Sequence, residues 1–350
     1  MRIAQVAPLM ESVPPRYYGG TERVVSYLTE ELVEQGHQVT LFASGDSQTS
    51  AELIPIVKEA LRLDKHQTDP LAHHIIMLNK LNKMAHNFDV IHFHIDMLHF
   101  AQYQYMQTPS ITTMHGRLDI PHLPTVFDEF SDIPLISISN NQRTPLPNAN
   151  WYETVYNGIP KDFYTFRPQP GDYLAFVGRI SPEKGIERAI EIAMRVGMKL
   201  YIAAKVDKVD EDYYQNKIKP LLNNPLINFI GEIDEHEKNE FLGNAYATLF
   251  PIDWPEPFGL VMIESMACGT PVIAFNHGSV PEVMLHGETG FIVNSINEAV
   301  EAIERIETIS RQCCRYIFEQ RFSSAQMAGN YLKVYESLTR QEEYDTPIAV

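Results

Sequence analysis

Arg179 and Lys184 lie in the run Val177-Gly178-Arg179-Ile180-Ser181-Pro182-Glu183-Lys184-Gly185, where an apolar strand ends and a helical pattern begins. Ser181 is placed to cap that helix, Pro182 suits its first position, and Ile186, Ala189, Ile190 and Ala193 continue its apolar face. Two cations beside the positive end of a helix make a site for a diphosphate; the plainer reading is two solvated surface charges. A second run, Pro255-Glu256-Pro257-Phe258-Gly259-Leu260-Val261-Met262-Ile263-Glu264-Ser265-Met266-Ala267-Cys268-Gly269, also follows a strand. Gly259 opens its helix and Gly269 closes it, leaving the N–H groups of Gly259 and Leu260 to meet an anion or a sugar oxygen. Glu256 precedes the helix. Glu264 sits inside it among Val261, Met262, Ile263 and Met266, so its carboxylate needs a partner, either a protein donor or ligand hydroxyls.

The first half carries a glycine pair, Gly19-Gly20, in the run Pro14-Pro15-Arg16-Tyr17-Tyr18-Gly19-Gly20-Thr21-Glu22, between the first strand and the first helix. Glycines let backbone approach a ligand closely, and a helix start favours negative charge; a tight turn alone explains them as well. His115-Gly116 ends a strand. His92 and His94, two apart on another strand, share a face and could pair on a metal, but no third ligand follows at convincing spacing and a hydrogen-bonded pair fits better. Asp210-Glu211-Asp212 is an Asp-x-Asp triplet in an acidic stretch with no suitable strand end before it, and reads as a solvated face. Neither Gly-x-Gly-x-x-Gly after the first strand nor Gly-x-x-x-x-Gly-Lys occurs, which argues against dinucleotide and P-loop chemistry.

The elements that must hold these residues follow from short apolar runs alternating with helical patterns, the signature of βα units and parallel sheets. Strands are expected at Ile3–Ala7, Val39–Ala43, Val90–His94, Ile111–His115 and Leu135–Ser139, then at Leu174–Val177, Leu200–Ala204, Ile227–Ile230, Ala247–Phe250, Val272–Phe275 and Phe291–Val293. Thr21 can cap a helix with Val24, Val25, Leu28 and Leu32 on one face and Gly36 at its end. Residues from about Thr68 to His86 suggest a helix that buries Leu71, Ile75, Leu78 and Leu81. Two strand series imply two Rossmann-like α/β domains facing across a cleft, 1–160 and 161–322. The tail 323–350 is expected as a closing helix, with Met327, Tyr331, Val334, Tyr335 and Leu338 packed back on the first domain. Ligands of such sheets bind outside the carboxyl ends of the strands.

At 350 residues, 44% hydrophobic and 21% charged, the composition is that of a globular protein with room for two cores. A net charge of −17 argues against broad contact with nucleic acid or anionic lipid. Cys268, Cys313 and Cys314, without paired spacing, suggest reduced thiols and a cytoplasmic setting. The N-terminus looks like a strand rather than a signal peptide, and no stretch approaches the length of a membrane span. Tyr103 and Tyr105 could stack on a sugar ring, though buried packing fits them better.

Glu256-x7-Glu264 within EPFGLVMIE, preceded by FVGRISPEKG and followed by CGTPVIAFNHGSVPEVMLHGETGFIV, resembles glycosyltransferase family four, retaining enzymes of the GT-B fold, over nearly the whole chain. The resemblance implies that Arg179 and Lys184 hold the donor diphosphate and stabilise charge on the departing nucleotide. It assigns the ribose hydroxyls to Glu264, and the sugar hydroxyls to Glu256 with the backbone of Phe258, Gly259 and Leu260. Gly19 and Gly20 complete the phosphate pocket, His115 contacts the transferred sugar, and Ser279 and Glu282 line the loop that follows. Asn276-His277-Gly278-Ser279 departs from the glycine run of many relatives at this point. No metal and no cofactor are implied. The substrates would be a nucleotide-diphosphate sugar, a UDP- or GDP-hexose, and a sugar, lipid-linked or small-molecule acceptor. No enzymatic nucleophile stands out, so a front-face, substrate-assisted path is expected. Two other readings share the architecture: a non-hydrolysing sugar-nucleotide epimerase and a catalytically silent nucleotide-sugar binder.

Overall fold

Among the described residues every strand pair is parallel, as short apolar runs separated by helices require. The computed structural model describes residues 1–17, 19–63 and 69–345. Its chain divides into two compact units, Met1–Gly158 with Ser324–Val350, and Ile159–Ser323. The first holds a seven-stranded sheet of β1 (Arg2–Val6), β2 (Gln38–Ala43), β3 (Glu52–Pro55), β4 (Val90–Phe93), β5 (Ser110–Met114), β6 (Leu135–Ser137) and β7 (Trp151–Thr154), in the order β3-β2-β1-β4-β5-β6-β7. The second holds β8 (Tyr173–Arg179), β9 (Lys199–Lys205), β10 (Ile227–Gly231), β11 (Ala247–Phe250), β12 (Val272–Phe275) and β13 (Gly290–Val293), in the order β10-β9-β8-β11-β12-β13. Both sheets reverse direction of build-up once, between β1 and β4 and between β8 and β11. Those are the switch points at which open sheets leave a crevice beyond their carboxyl ends.

The central strands are buried along most of their length, so their apolar runs mark them. β3 and β7, not among the expected strands, are edge strands whose residues are half-buried or exposed, each with only a two-residue apolar pair, Leu53-Ile54 and Trp151-Tyr152. The first helix, Gly20–Glu34, buries Val24, Val25, Leu28 and Leu32, but Gly19 is its N-cap and Thr21 lies in its first turn. A second helix, Pro70–Met84, is capped by Asp69, whose carboxylate accepts from the Leu71 N–H. It buries His74, Met77, Leu78 and Leu81 and leaves Leu71 and Ile75 exposed, so its inner face is rotated from the expected one. Tyr18 and Thr68, read above as part of the glycine loop and as a helix start, lie outside the described residues.

The helix Ser324–Asp345 clusters with the first unit, and Met327, Tyr331, Val334, Tyr335 and Leu338 are all buried there. In the second unit, Arg311 donates to the carbonyls of Arg167, Gly243 and Ala245, and Arg315 to those of Lys161, Tyr164 and Ala267. The Arg311 guanidinium thereby satisfies the buried carbonyls of Gly243 and Ala245, which would otherwise go unpaired. Cys268 and Cys314 are buried, Cys313 is half-buried, and all three are free thiols. Among the described residues no helix is long and apolar enough to cross a membrane.

Candidate active site

β8 ends at Arg179 and leads into a 3-10 turn, Pro182–Lys184, rather than straight into a helix. Gly185 then adopts φ +69°, where a Cβ would come 2.0 Å from the Pro251 carbonyl oxygen, so only glycine lets this turn close on the segment after β11. The helix proper begins at Ile186, four residues later than expected, and Ser181 makes no capping hydrogen bond. Lys184 therefore sits on the tight turn. Its Nζ lies 2.5 Å from Glu256 Oε2, which also accepts from Trp254 Nε1 at 2.9 Å, and 5.0 Å from the centre of the Trp254 ring. With side chains only 15% and 13% exposed, Lys184 and Glu256 interact more strongly than a solvated surface pair.

Arg179 is surrounded by carboxylates. It pairs with Glu183, lies 3.4 Å from Asp210 and 3.9 Å from Asp207, and Asp207 in turn accepts a contact from Lys205 at 3.1 Å. The acidic stretch is thus no solvated face: β9 ends at Lys205, directly before it, and carries Asp207 and Asp210 to Arg179. Asp210 is buried, and burial raises its carboxyl above the usual range against the pull of Arg179. Asp212, the other half of the triplet, is exposed. Among the described residues no group of three or more His, Cys, Asp or Glu side chains is arranged to hold a metal ion.

Glu264 is 2% exposed within the helix Leu260–Ala267. The partner it requires is Lys238, whose Nζ lies 2.7 Å from Glu264 Oε1 and 3.1 Å from Glu235 Oε2; Glu235 also accepts from the Tyr164 hydroxyl. Lys238, on the helix Glu235–Gly243, was not singled out in the sequence, because Glu-His-Glu-Lys looks like an ordinary polar helix start. The helix bearing Glu264 opens at Gly259, φ +78°, with no side-chain cap and no acidic residue in its first turn, so its leading amides remain available to an anion.

Loop contacts fix the approach to that helix. Gly278, φ +58°, packs so closely that a Cβ would lie 2.3 Å from the Glu256 amide nitrogen. Ser279 donates its N–H to the Glu256 carbonyl at 3.0 Å and its hydroxyl to the Phe258 carbonyl at 2.9 Å. Ser279 therefore orders the segment from Glu256 to Phe258 through its own donors. Phe258 is buried against Phe322, and Glu282, in the short helix Val280–Val283, accepts at its carbonyl from Arg321.

In the first unit, Gly19 sits where a Cβ would meet Pro15 at 2.8 Å, and Arg23 donates back to the carbonyls of Pro15 and Tyr17. Gly20 is the first residue of the helix behind this loop. His115, just past β5, is partly exposed; its Nε2 lies 2.8 Å from His94 Nδ1, and burial pushes its ring down to about 3. His92 and His94 lie 3.9 Å apart between ring centres, tilted by 41°, but bond to other partners rather than to each other. Tyr105 is 80% exposed, contrary to the packing reading, whereas Tyr103 packs against the core around Phe100 and Phe127.

Two parallel-sheet units with a crevice-forming switch point in each define the class as a two-domain, Rossmann-like α/β protein. The family model described as Glycosyltransferase Family 4 matches residues 18–161, and that described as Glycosyl transferases group 1 matches residues 162–321. The chain belongs to this glycosyltransferase family and is a glycosyltransferase of the GT-B fold. It is similar to a glycogen synthase of Mycobacterium tuberculosis, 28% identical over 330 residues and covering 79% of each chain. It also resembles a phosphatidyl-myo-inositol mannosyltransferase of Mycobacterium leprae, 25% identical over 97% of each chain. Among solved structures it shares the fold of Anabaena Alr3699/HepE in complex with UDP and glucose, with TM-score 0.76, 18% identity, and coverage of 96% of this chain and 100% of that one.

Proposed function

We propose that the protein transfers a hexose from a UDP- or GDP-sugar to an acceptor hydroxyl, with retention of anomeric configuration and without a metal or other cofactor. The observation that carries this reading is the cluster at the ends of β8 and β11. There Lys184 pairs with Glu256, ahead of the uncapped helix that holds Glu264, and Arg179, five residues before Lys184, pairs with Glu183, Asp207 and Asp210. As the glycosidic bond breaks, negative charge collects on the departing diphosphate, and fixed cations and helix amides stabilise it without reorganising. Each cation is matched by carboxylates, so donor binding is an exchange: phosphate oxygens replace Glu183, Asp207 and Asp210 around Arg179, and Glu256 turns from Lys184 to the sugar hydroxyls. Glu264, held by Lys238, serves the ribose, and His115 meets the transferred sugar. The similarity to a protein crystallised with UDP and glucose supports a UDP-sugar first among donors.

A panel of UDP-, GDP- and ADP-hexoses, tested for thermal stabilisation and for slow release of nucleotide diphosphate and hexose, addresses this directly. The matching donor at a hundred times its Kd should add about 2.7 kcal/mol of stability. Release should continue in EDTA. No stabilisation by any donor, or release lost to EDTA and restored by manganese or magnesium, overturns the reading.

A further inference from the structure

Behind His115 the first unit contains an unbroken row of hydrogen-bonded side chains. His115 Nε2 meets His94 Nδ1 at 2.8 Å, and His94 Nε2 meets Gln5 Oε1 at 2.7 Å. Gln5 Nε2 donates to the Tyr335 hydroxyl at 3.2 Å, which lies 2.7 Å from His92 Nδ1. His92 Nε2 meets Thr113 Oγ1 at 2.7 Å, and Thr113 meets the Tyr331 hydroxyl at 2.9 Å. Gln5, His92, Thr113, Tyr331 and Tyr335 are fully buried and His94 is 2% exposed. The row crosses β1, β4 and β5 and ends on the C-terminal helix.

Its donors and acceptors can be assigned one after another. The Gln5 carbonyl oxygen only accepts, so His94 Nε2 carries a proton. Burial keeps His94 neutral, so its Nδ1 accepts and His115 Nε2 must be the donor. Burial keeps His115 neutral as well, which leaves Nδ1 bearing a lone pair. We propose that Gln5, His94 and Tyr335 are positioning residues that hold His115 in its Nε2–H tautomer, so that Nδ1 accepts a hydrogen bond from a hydroxyl of the transferred hexose. This rests on the placing of His115 at the sugar under Proposed function. The polarity suits the reaction: a hydroxyl that donates to Nδ1 gains electron density as the ring becomes oxocarbenium-like, whereas a donating nitrogen would oppose that charge. Turning the Gln5 amide over would reverse every donor in the row and move the His115 proton to Nδ1. Tyr335 couples Gln5 to His92 and Thr113, so the whole row has to turn together; removing its hydroxyl leaves the Gln5 amide held at one end only.

The test is nitrogen NMR on protein labelled at histidine ring nitrogens, with His115→Gln used to assign the resonance, alongside steady-state turnover of the donor. The wild type at neutral pH should show His115 protonated at Nε2 and not at Nδ1. Tyr335→Phe and Gln5→Leu should give a mixture of tautomers and lower kcat by about tenfold, with donor KM nearly unchanged. Gln5→Glu, whose neutral acid can still accept from His94 and donate to Tyr335, should restore the Nε2–H form and most of kcat. A wild-type His115 protonated at Nδ1 overturns the proposal without any variant having to fold, and leaves the glycosyltransferase reading intact. A changed tautomer in Tyr335→Phe with unchanged kcat also overturns it, while continued donor turnover shows that the reading of the reaction stands.

Discussion

Around His115 the polar side chains are uncharged and share protons in a row, whereas around Arg179 and Lys184 they are ions matched against ions. The first arrangement sets the direction of a hydrogen bond; the second supplies an electric field. On the proposed reading each answers a different demand of glycosyl transfer, one at the sugar ring and one at the departing diphosphate. Each also has its own weakness: buried neutral histidines resist protonation only at a cost in stability, and paired cations must be released from their carboxylates.

The sharpest test of the charged half is removal of its cations. Arg179→Ala and Lys184→Ala should each lower turnover by roughly 10² to 10³, the usual loss when one preorganised charge stabiliser is deleted. Steady-state rates decide it, and near wild-type values in both variants would place the diphosphate elsewhere.

A smaller effect separates the two glutamates. Glu264→Gln should weaken the donor and the product nucleotide diphosphate together, because the ribose does not change during reaction. Glu256→Gln should lower kcat by about tenfold and leave nucleotide-diphosphate affinity almost unchanged, because sugar hydroxyl contacts strengthen as the ring gains charge. Calorimetry with the free diphosphate, set against kinetics, reads both. The reverse pattern would turn the donor end for end.

Acid should separate the units next. Burial lowers His92 and His94 well below the usual range and His99 and His115 to about 3, so the folded first unit binds fewer protons than its unfolded chain. Their contribution is complete above about pH 6.5 and is lost as pH falls towards 3, each ring adding a slope of about 1.4 kcal/mol per pH unit. In the second unit the Arg179 carboxylates offset one another, since burial would raise Glu183 but its hydrogen bonds and Arg179 hold it low, while Asp210 is raised. Hydrogen exchange followed peptide by peptide from pH 7 to pH 5 should show β1, β4 and β5 losing protection before β8 and β11. Equal loss in both units would contradict the neutral-row account.

Much of this architecture was legible in the sequence, because central parallel strands are buried on both faces and read as apolar runs. The edge strands β3 and β7, half-buried at most and with one apolar pair each, give a much weaker signal. The motif residues were legible too; their partners were not. Gln5 and Thr113 stand out as polar residues in buried strands, which announces a hydrogen-bond partner without naming it. Tyr335 lies 330 positions from Gln5, and helical spacing marked it only as apolar. Lys238 and Asp210 were hidden for the opposite reason: charged residues in polar stretches look solvated until the fold carries Lys238 to the buried Glu264 and buries Asp210 beside Arg179.

Asp210 gives the smallest predicted effect and the one that bears most directly on the exchange mechanism. Its carboxylate lies 3.4 Å from Arg179 Nε, and on the proposed reading phosphate oxygens compete with it for the guanidinium. Asp210→Asn keeps the shape and removes the charge. If the carboxylate competes, nucleotide diphosphate should bind about two- to fivefold more tightly, a gain of about 0.4 to 1 kcal/mol, as expected for an ion pair whose arginine is partly solvated. Asp212→Asn, two residues on and exposed, should change nothing and serves as the control for net charge. Titration calorimetry at low and moderate salt measures both variants, and the gain should shrink as salt screens the pair. Weaker binding by Asp210→Asn would mean that the carboxylate orients Arg179 for the diphosphate rather than competing with it, and the exchange at Arg179 would then fall to Glu183 and Asp207 alone.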